Sequence, residues 1–162
     1  MSHEVDRLRS ELEDAFQNRA HLYRLLLAEL EAELGQQQAE TMMVRTLERR
    51  GREVAEKLFK DVPAEAGAVA ERFLAVSPDC GKMYPHDAEG EADDLTIRVR
   101  RCPLKDAWTQ AELPPERIAT LCRIAGAFDK GLFEAAGIRF NNVTWSEERG
   151  GGCCWIRLQS PG

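Results

Sequence analysis

The chain lacks several features that mark large functional classes. None of its apolar runs approaches the length of a transmembrane helix, and residues 1–6 are polar and acidic, unlike a secretory signal peptide. The basic residues form no stripe wide enough for nucleic acid, and the net charge of −6 has the wrong sign for an anionic membrane surface. We therefore expect a cytoplasmic protein whose partner is a small molecule, not a nucleic acid or a membrane.

The chain also lacks the CxxC spacing that is typical of zinc and redox motifs, although it has five cysteines in 162 residues. In a reducing compartment these cysteines are not expected to form a disulfide framework. They are buried thiols, metal ligands or reactive nucleophiles. The sequence shows no internal repeat and no low-complexity segment, and its length suits a single domain over residues 1–162.

The first 76 residues are predicted to be helical. Apolar residues recur at steps of three and four up to Gly35, a residue type that commonly ends a helix. A second helix is expected over residues 38–59, and a shorter one over 64–76 after Pro63. Two antiparallel helices joined by a short turn would form an N-terminal helical hairpin.

Strands are predicted only in the second half of the chain. Residues 77–94 combine prolines, glycines and acids and are expected to be a loop. The part from 95 to 158 is then predicted to hold strands at 95–99, 138–145 and 153–158, with helices at 104–111 and 116–136 between them. Helices come first and strands cluster late. We therefore predict an α+β fold, with helices packed on a small antiparallel sheet of about three strands.

Three cysteines belong to elements that are expected to adjoin this sheet. Cys102 lies where a strand ends and a helix begins, a position at which the helix dipole lowers the pKa of a thiol. Cys122 shares a helix face with Asp129, and strand phase favours Cys154 over Cys153 as the inward-facing residue. If the three thiols converge, they form either a thiolate site for zinc or iron or a pocket with one activated nucleophile. Each position also fits a buried core cysteine.

Candidate ligand-binding side chains lie near these positions in the sequence. Arg19 and Tyr23 interrupt the apolar side of the first helix, and a guanidinium can hold a carboxylate in a planar fork. Arg101 directly precedes Cys102. Trp108 is most simply a core aromatic, although it could also wall a pocket. Positions 19 and 23 fit a solvated helix face as well.

The order of these residues resembles that of the L-2-amino-thiazoline-4-carboxylic acid hydrolase family. The resemblance covers nearly the whole chain, from about residue 10 to residue 158. It rests on Asn-Arg-Ala and Leu-Tyr within 18–23, Glu-Leu-Gly at 33–35, Arg-Cys-Pro-Leu and Ala-Trp within 101–108, Leu-Cys at 121–122 with Asp129, and the glycine-rich segment that leads to Cys154 and Ile156.

This resemblance implies a hydrolase that opens a small sulfur- or nitrogen-containing heterocycle. The reaction named for the family opens 2-amino-thiazoline-4-carboxylate to N-carbamoyl-cysteine, which needs a nucleophile, a base and a cation for the substrate carboxylate. The candidate catalytic residues are Cys102, Cys154 and Asp129, with Asp129 as the base. The candidate substrate-binding residues are Arg19, Tyr23, Arg101 and Trp108.

Two other functions stay open on the sequence alone. Cys102, Cys122 and Cys154 could hold a metal or a cofactor in a non-enzymatic module, since the layout is also loosely similar to small-ligand sensor domains of the vinyl-reductase type. Alternatively, the apolar pattern of the long N-terminal helices predicts a homodimer face.

Overall fold

The computed structural model describes residues 2–162 as five α-helices and a four-stranded antiparallel sheet, so the predicted α+β class is confirmed. The helices are α1 (Ser2–Leu34), α2 (Gln36–Leu58), α3 (Ala66–Val76), α4 (Pro103–Gln110) and α5 (Pro115–Ala135). The strands are β1 (His86–Glu91), β2 (Asp94–Val99), β3 (Arg139–Val143) and β4 (Trp155–Gln159), in the sheet order β1-β2-β4-β3.

The predicted N-terminal hairpin forms because Gly35 reverses the chain with a φ of 80°, in the region that favours glycine. In α2 the buried positions recur every four residues, which turns one continuous stripe towards α5. Trp108 of α4 is fully buried and its indole Nε1 donates to the carbonyl of Ala20, 2.8 Å away, so that α4 is tied to α1.

Helices α2 and α5 cross at two glycines with almost no space between their backbones. A methyl group added at Gly51 would lie 2.1 Å from the carbonyl oxygen of Phe128, and one added at Gly131 would lie 2.0 Å from that of Glu48. Gly51 lowers the intrinsic helix propensity of α2. The structure gives the reason for its presence: only glycine allows this approach.

The core consists of two packed clusters of buried residues. The helical cluster joins α1, α2, α4 and α5 and includes Phe16, Ala20, Leu27, Met43, Leu47, Leu104, Trp108, Leu121 and Cys122. The sheet cluster joins the sheet to α3 and the second half of α5 and includes Val69, Ile97, Val99, Leu132, Phe133, Cys153, Ile156 and Leu158. Four partly buried residues, Tyr84, Cys102, Phe128 and Trp145, pack against both clusters. These four define the seam between helices and sheet.

The segment 77–94 was expected to be a loop, but it contains strand β1 and the start of β2. Strand β1, with the sequence His-Asp-Ala-Glu-Gly-Glu, has mostly exposed side chains and pairs on one side only, with β2. An edge strand of this kind is held by backbone hydrogen bonds and carries no alternation of apolar and polar residues. Apolar patterning therefore could not reveal it, and the sheet has four strands where about three were predicted.

The last strand begins at Trp155, two residues later than predicted, and this changes which cysteine is buried. Gly150 and Gly152 have positive φ values, so the chain still turns immediately before the cysteine pair. Strand phase therefore does not extend back to them. Cys153 is buried with 2% exposure and Cys154 is half-buried, the reverse of the order that strand phase predicts.

Helix α1 exposes several large apolar side chains. Leu22, Leu25 and Leu26 are each at least half exposed on it. A homodimer through the N-terminal helices stays a prediction. Within residues 2–162, none of the helices combines the length and the apolar character needed to span a membrane.

Candidate active site

Cys102 occupies the position just before the first turn of α4, with Pro103 as the first helical residue. Proline favours this place because its missing N–H has no partner there in any helix. The backbone N–H groups of Leu104 and Lys105 lie close enough to the Cys102 sulfur to lower its pKa, although neither forms a cap hydrogen bond with it. Amides at a helix N-terminus favour an anion, so the backbone itself stabilises the thiolate. This half-buried sulfur lies at the seam between the two core clusters.

Two further thiols approach Cys102 from the segment that precedes β4. Backbone hydrogen bonds from Cys153 N–H to the Val99 carbonyl (2.9 Å) and from Val99 N–H to the Cys154 carbonyl (2.8 Å) fix this segment against the end of β2. The sulfurs of Cys153 and Cys154 are 3.3 Å apart, and the Cys153 thiol is close enough to the Cys102 sulfur to shift its pKa.

These contacts shift the pKa values of Cys102 and Cys153 in opposite directions. The hydrogen bond with Cys153 lowers the pKa of Cys102, burial opposes this effect, and the Lys105 and Leu104 amides lower the pKa further. Hydrogen bonds with Cys102 and Cys154, together with burial, raise the pKa of Cys153. Of the two thiols, Cys102 is therefore the one that loses its proton more readily.

Cys122 completes the group from α5. It is buried, and this burial raises its pKa, with Cys154 and Cys102 close enough to raise it further. The structure thus brings Cys102, Cys122 and Cys154 into one neighbourhood. Even so, within residues 2–162 no group of three or more His, Cys, Asp or Glu side chains has an arrangement that could hold a metal ion. The alternative of a zinc or iron site therefore gains no support from this geometry.

Asp129 supplies a carboxyl group in an unusual state on the same helix as Cys122. Burial raises the pKa of Asp129 to about 7, and nearby Arg19 opposes part of this shift. No side-chain hydrogen bond of the described residues reaches its carboxylate, and neither oxygen is fully enclosed. An unpaired carboxyl group that titrates near neutrality is suited to act as an acid and as a base.

Tyr84 connects the carboxyl group with the thiol. Burial raises the pKa of Tyr84, as do Cys102 and Asp129, while Arg19 lowers it. All three groups are therefore close to the phenol. The Tyr84 ring also meets Phe16 edge-on at a centroid distance of 5.8 Å, which fixes its orientation against α1.

The predicted substrate-binding residues have different surroundings. The Arg19 guanidinium lies over the Phe16 ring at 4.6 Å and near the half-buried Tyr23 ring at 5.8 Å, and no carboxylate of the described residues forms an ion pair with it. Arg101 instead pairs with Glu13 and with Asp106 at 2.6 Å. Its charge is already neutralised in the folded protein, so Arg19 is the available one of the two arginines that were predicted to bind substrate.

Trp108 does not have the surroundings of a ligand-binding residue. Its ring has no exposed surface and its indole nitrogen is satisfied within the helical cluster. A small molecule therefore cannot contact this ring in the structure. Trp108 is a core aromatic that joins α4 to α1.

Sequence reasoning did not select three residues that the structure places at the site. Tyr84 was hidden in the proline- and glycine-rich segment, where a single aromatic between Met83 and Pro85 was its only signal. Lys105 lies in the first turn of α4, with its ammonium 4.9 Å from the Trp145 ring centre. Strand phase predicts that Cys153 faces away from the core, so the sequence gives no reason to select it. All three depend on packing between distant segments.

An open groove of about 370 Å³ lies next to Tyr84 along the chain. It is lined by Cys80, Gly81, Lys82, Pro85, His86 and Arg100. Arg100 precedes Cys102 by two residues, and its guanidinium is held by Asp87. Tyr84, Cys102, Asp129 and Arg19 are not among the residues that line this groove.

Comparison with known proteins places the chain in a family. The model of the L-2-amino-thiazoline-4-carboxylic acid hydrolases matches residues 15–158, a range that includes Arg19, Tyr84, Cys102 and Asp129. The chain belongs to this family. No curated protein sequence matches the chain.

Among solved structures, the fold is similar to a trafficking protein particle complex subunit 3 from Naegleria fowleri, solved covalently bound to palmitic acid. The TM-score is 0.62 at 15% sequence identity, and the match covers 91% of this chain and 96% of that chain. At this identity the similarity shows a shared fold alone.

Because the pKa of Asp129 is raised in the folded protein, we predict that the free energy of unfolding decreases as the pH rises from about 4 to about 7. Below this range the carboxyl group is neutral in the folded and unfolded chain. Above it, the folded chain bears the cost of a desolvated charge. We expect Asp129→Asn to raise the free energy of unfolding at pH 8 by roughly 1–3 kcal/mol, the lower part of the range reflecting partial solvent access.

Urea denaturation at pH 5 and pH 8 measures this difference, which should shrink at the lower pH. Asp94→Asn is the matched control, because the Arg157 guanidinium holds the pKa of Asp94 below its usual range, and its replacement should have the opposite sign. A loss of stability in Asp129→Asn at pH 8 would contradict the prediction.

Proposed function

We propose that the protein is a hydrolase that opens a small carboxylated thiazoline or a related cyclic amidine, with the Cys102 thiolate as nucleophile. The family supports the reaction class. The observation that carries the proposal is the Cys102 sulfur at the N-terminus of α4, faced by the Leu104 and Lys105 amides and adjoining Tyr84, which Asp129 and Arg19 also approach. Such surroundings produce a nucleophilic thiolate at neutral pH.

In the first half of the reaction, the Cys102 sulfur attacks the ring carbon that is bonded to both nitrogens and to the ring sulfur. The bond between this carbon and the ring sulfur breaks, and its electron pair stays on the departing sulfur. Protonated Asp129 supplies the proton for that sulfur. The opened substrate is then attached to Cys102 as an isothiourea, with all of its atoms retained.

In the second half, the Asp129 carboxylate removes a proton from water, and the water oxygen attacks the same carbon. The bond to the Cys102 sulfur breaks, the thiolate is restored and an N-carbamoyl-cysteine-type product leaves. One water is consumed, and Asp129 ends protonated as it began. A carboxyl pKa of about 7 suits both duties, because each protonation state is populated near neutral pH.

Arg19 is proposed to hold the substrate carboxylate. Its guanidinium is exposed, stacked on aromatic rings and unpaired with any carboxylate of residues 2–162, whereas Arg101 is occupied by Glu13 and Asp106. The Phe16 and Tyr23 rings restrict the guanidinium, so less side-chain entropy is lost when a ligand binds.

We expect Arg19→Ala to raise KM for the carboxylated substrate by about 10- to 100-fold with little change in kcat, because it removes ground-state binding. Steady-state kinetics measures this split. Arg7→Ala is the control on the same helix, since Arg7 pairs with Glu11 and should leave KM unchanged. An analogue without the carboxylate should not distinguish the Arg19 variant from the wild type, and equal KM values for the carboxylated substrate would remove Arg19 from the proposed site.

The proposal as a whole is tested by incubating the purified protein with 2-amino-thiazoline-4-carboxylate and following release of the product thiol. The wild type and Cys80→Ser, which changes an exposed cysteine, should open the ring at the same rate. Absence of ring opening by the wild type with this thiazoline and with its oxygen and nitrogen ring analogues would overturn the proposed function.

A further inference from the structure

Residues Cys102, Cys153 and Cys154 form a group of three thiols, of which the hydrolysis requires only Cys102. The other two are held in place by paired backbone hydrogen bonds with Val99, and their sulfurs are 3.3 Å apart. Cys153 is a buried member of the sheet cluster, and Cys102 packs against the same cluster. If Cys153 served packing alone, it would not need to lie near a second cysteine at a helix N-terminus.

Exposure differs between the two members of the Cys102–Cys153 pair. Cys102 is half-buried, whereas Cys153 is 2% exposed, so Cys102 is the more accessible of the two residues. The two thiols also differ in acidity, since the pKa of Cys102 is lowered and the pKa of Cys153 is raised. Thiolates react with peroxides and thiols do not, so oxidation begins at Cys102.

We propose that Cys102 and Cys153 form a peroxide-sensitive pair, in which a hydroperoxide oxidises Cys102 and Cys153 then closes a reversible disulfide. In the first step the Cys102 thiolate attacks one peroxide oxygen, the O–O bond breaks, and the departing oxygen takes a proton from solvent and leaves as an alcohol or water. Cys102 becomes a sulfenic acid.

In the second step the Cys153 sulfur attacks the Cys102 sulfur. The S–S bond forms, the S–O bond breaks, and the Cys153 proton leaves with the hydroxyl group as water. Two thiols are oxidised by two electrons in total, and one hydroperoxide is reduced. The packed thiol thereby intercepts the sulfenic acid before a second peroxide converts it irreversibly to a sulfinic acid.

The disulfide would also remove the nucleophile, and this consequence rests on the proposed function. Hydrolysis should then fall by about tenfold or more after peroxide treatment and return after a thiol reductant. The disulfide itself is measured independently of any substrate, so it can be established even if the hydrolase proposal fails.

Tryptic peptide mapping after mild hydrogen peroxide tests the pair directly. Cys102 falls in the peptide 102–105, both Cys153 and Cys154 fall in 150–157, and Cys80 and Cys122 fall in two others. We expect 102–105 to be linked to 150–157 in the wild type and in Cys154→Ser, where Cys153 is the only cysteine left in the second peptide. The link should be absent in Cys153→Ala, whose Cys102 should accumulate as sulfinic acid.

Three results would overturn the proposal. The first is a wild type in which 102–105 stays unlinked after peroxide. The second is a peptide 150–157 that is lighter by two hydrogen atoms, because the oxidised bond would then join Cys153 to Cys154. The third is loss of the link in Cys154→Ser, which decides the partner even if Cys153→Ala does not fold.

Discussion

Replacing Cys102 by serine should lower kcat/KM for ring opening by about 10³-fold or more, because a serine hydroxyl at this position is not ionised at neutral pH. The Leu104 and Lys105 amides and the Cys153 thiol stabilise a thiolate, and a neutral hydroxyl does not gain from them as an anion would. The loss should appear mainly in kcat, since Cys102 is assigned to bond formation and Arg19 to binding.

Serine is also the most informative replacement for the fold. Cys102 is the residue that precedes the first turn of α4, and serine is among the preferred residues there. The free energy of unfolding should therefore stay close to that of the wild type, and lost turnover would report chemistry. Cys80→Ser, at an exposed cysteine, is the matched control and should keep full activity. Activity of Cys102→Ser within about tenfold of the wild type would be too high for a nucleophile.

Replacing Gly131 by alanine should lower the free energy of unfolding by about 3 kcal/mol or more. The same change in an exposed helix usually stabilises the helix by about 1 kcal/mol. Here the added methyl group would lie 2.0 Å from the Glu48 carbonyl oxygen and 2.8 Å from its Cα, so the backbones of α2 and α5 must separate. Asp129 lies two residues earlier on α5, so turnover should fall as well.

Urea denaturation followed by circular dichroism measures the difference. Gly151→Ala is the control, because a methyl group at Gly151 meets nothing within 4 Å and its φ is not positive. That variant should be within about 0.5 kcal/mol of the wild type. A Gly131→Ala protein as stable as the wild type would show that α2 and α5 are further apart than described.

Most of the fold could be predicted because apolar periodicity records burial. Apolar residues show the helical period in the helix that begins at Pro115 and the strand period around Ile97. The turn at Gly35 is visible because the helical period is interrupted at a glycine. Strand β1 could not be found in this way, since its exposed side chains bury little and it is held by backbone pairing with β2.

The candidate site was predictable only in part. Cys102 could be selected because the Cys-Pro junction specifies a helix start, a local property of the sequence. Tyr84 and Cys153 could not, because each reaches the site through contacts between segments far apart in the chain. For Cys153 there is a second reason. The glycine turn at residues 150–152 ends the alternation of side chains along the strand, so this alternation does not predict which way Cys153 points.

The ion pairs of Arg101 also could not be predicted from the local sequence. In the sequence it is a cation beside Cys102, as suited to a carboxylate as Arg19. The fold pairs it with Glu13 of α1 and Asp106 of α4, and this neutralises its charge before any ligand binds. Which of two arginines is free depends on long-range ion pairs, which spacing does not encode.

The most direct test of the account is the covalent state of Cys102 during turnover. The wild-type protein is mixed with excess thiazoline, quenched in acid within the first turnover, digested with trypsin and analysed by mass spectrometry. The account predicts that the peptide 102–105 gains the mass of the whole substrate, while 118–123 and 150–157 stay unchanged. Turnover without any adduct on 102–105 at all quench times, or an adduct on 150–157 instead, would contradict the assignment of Cys102 as the nucleophile.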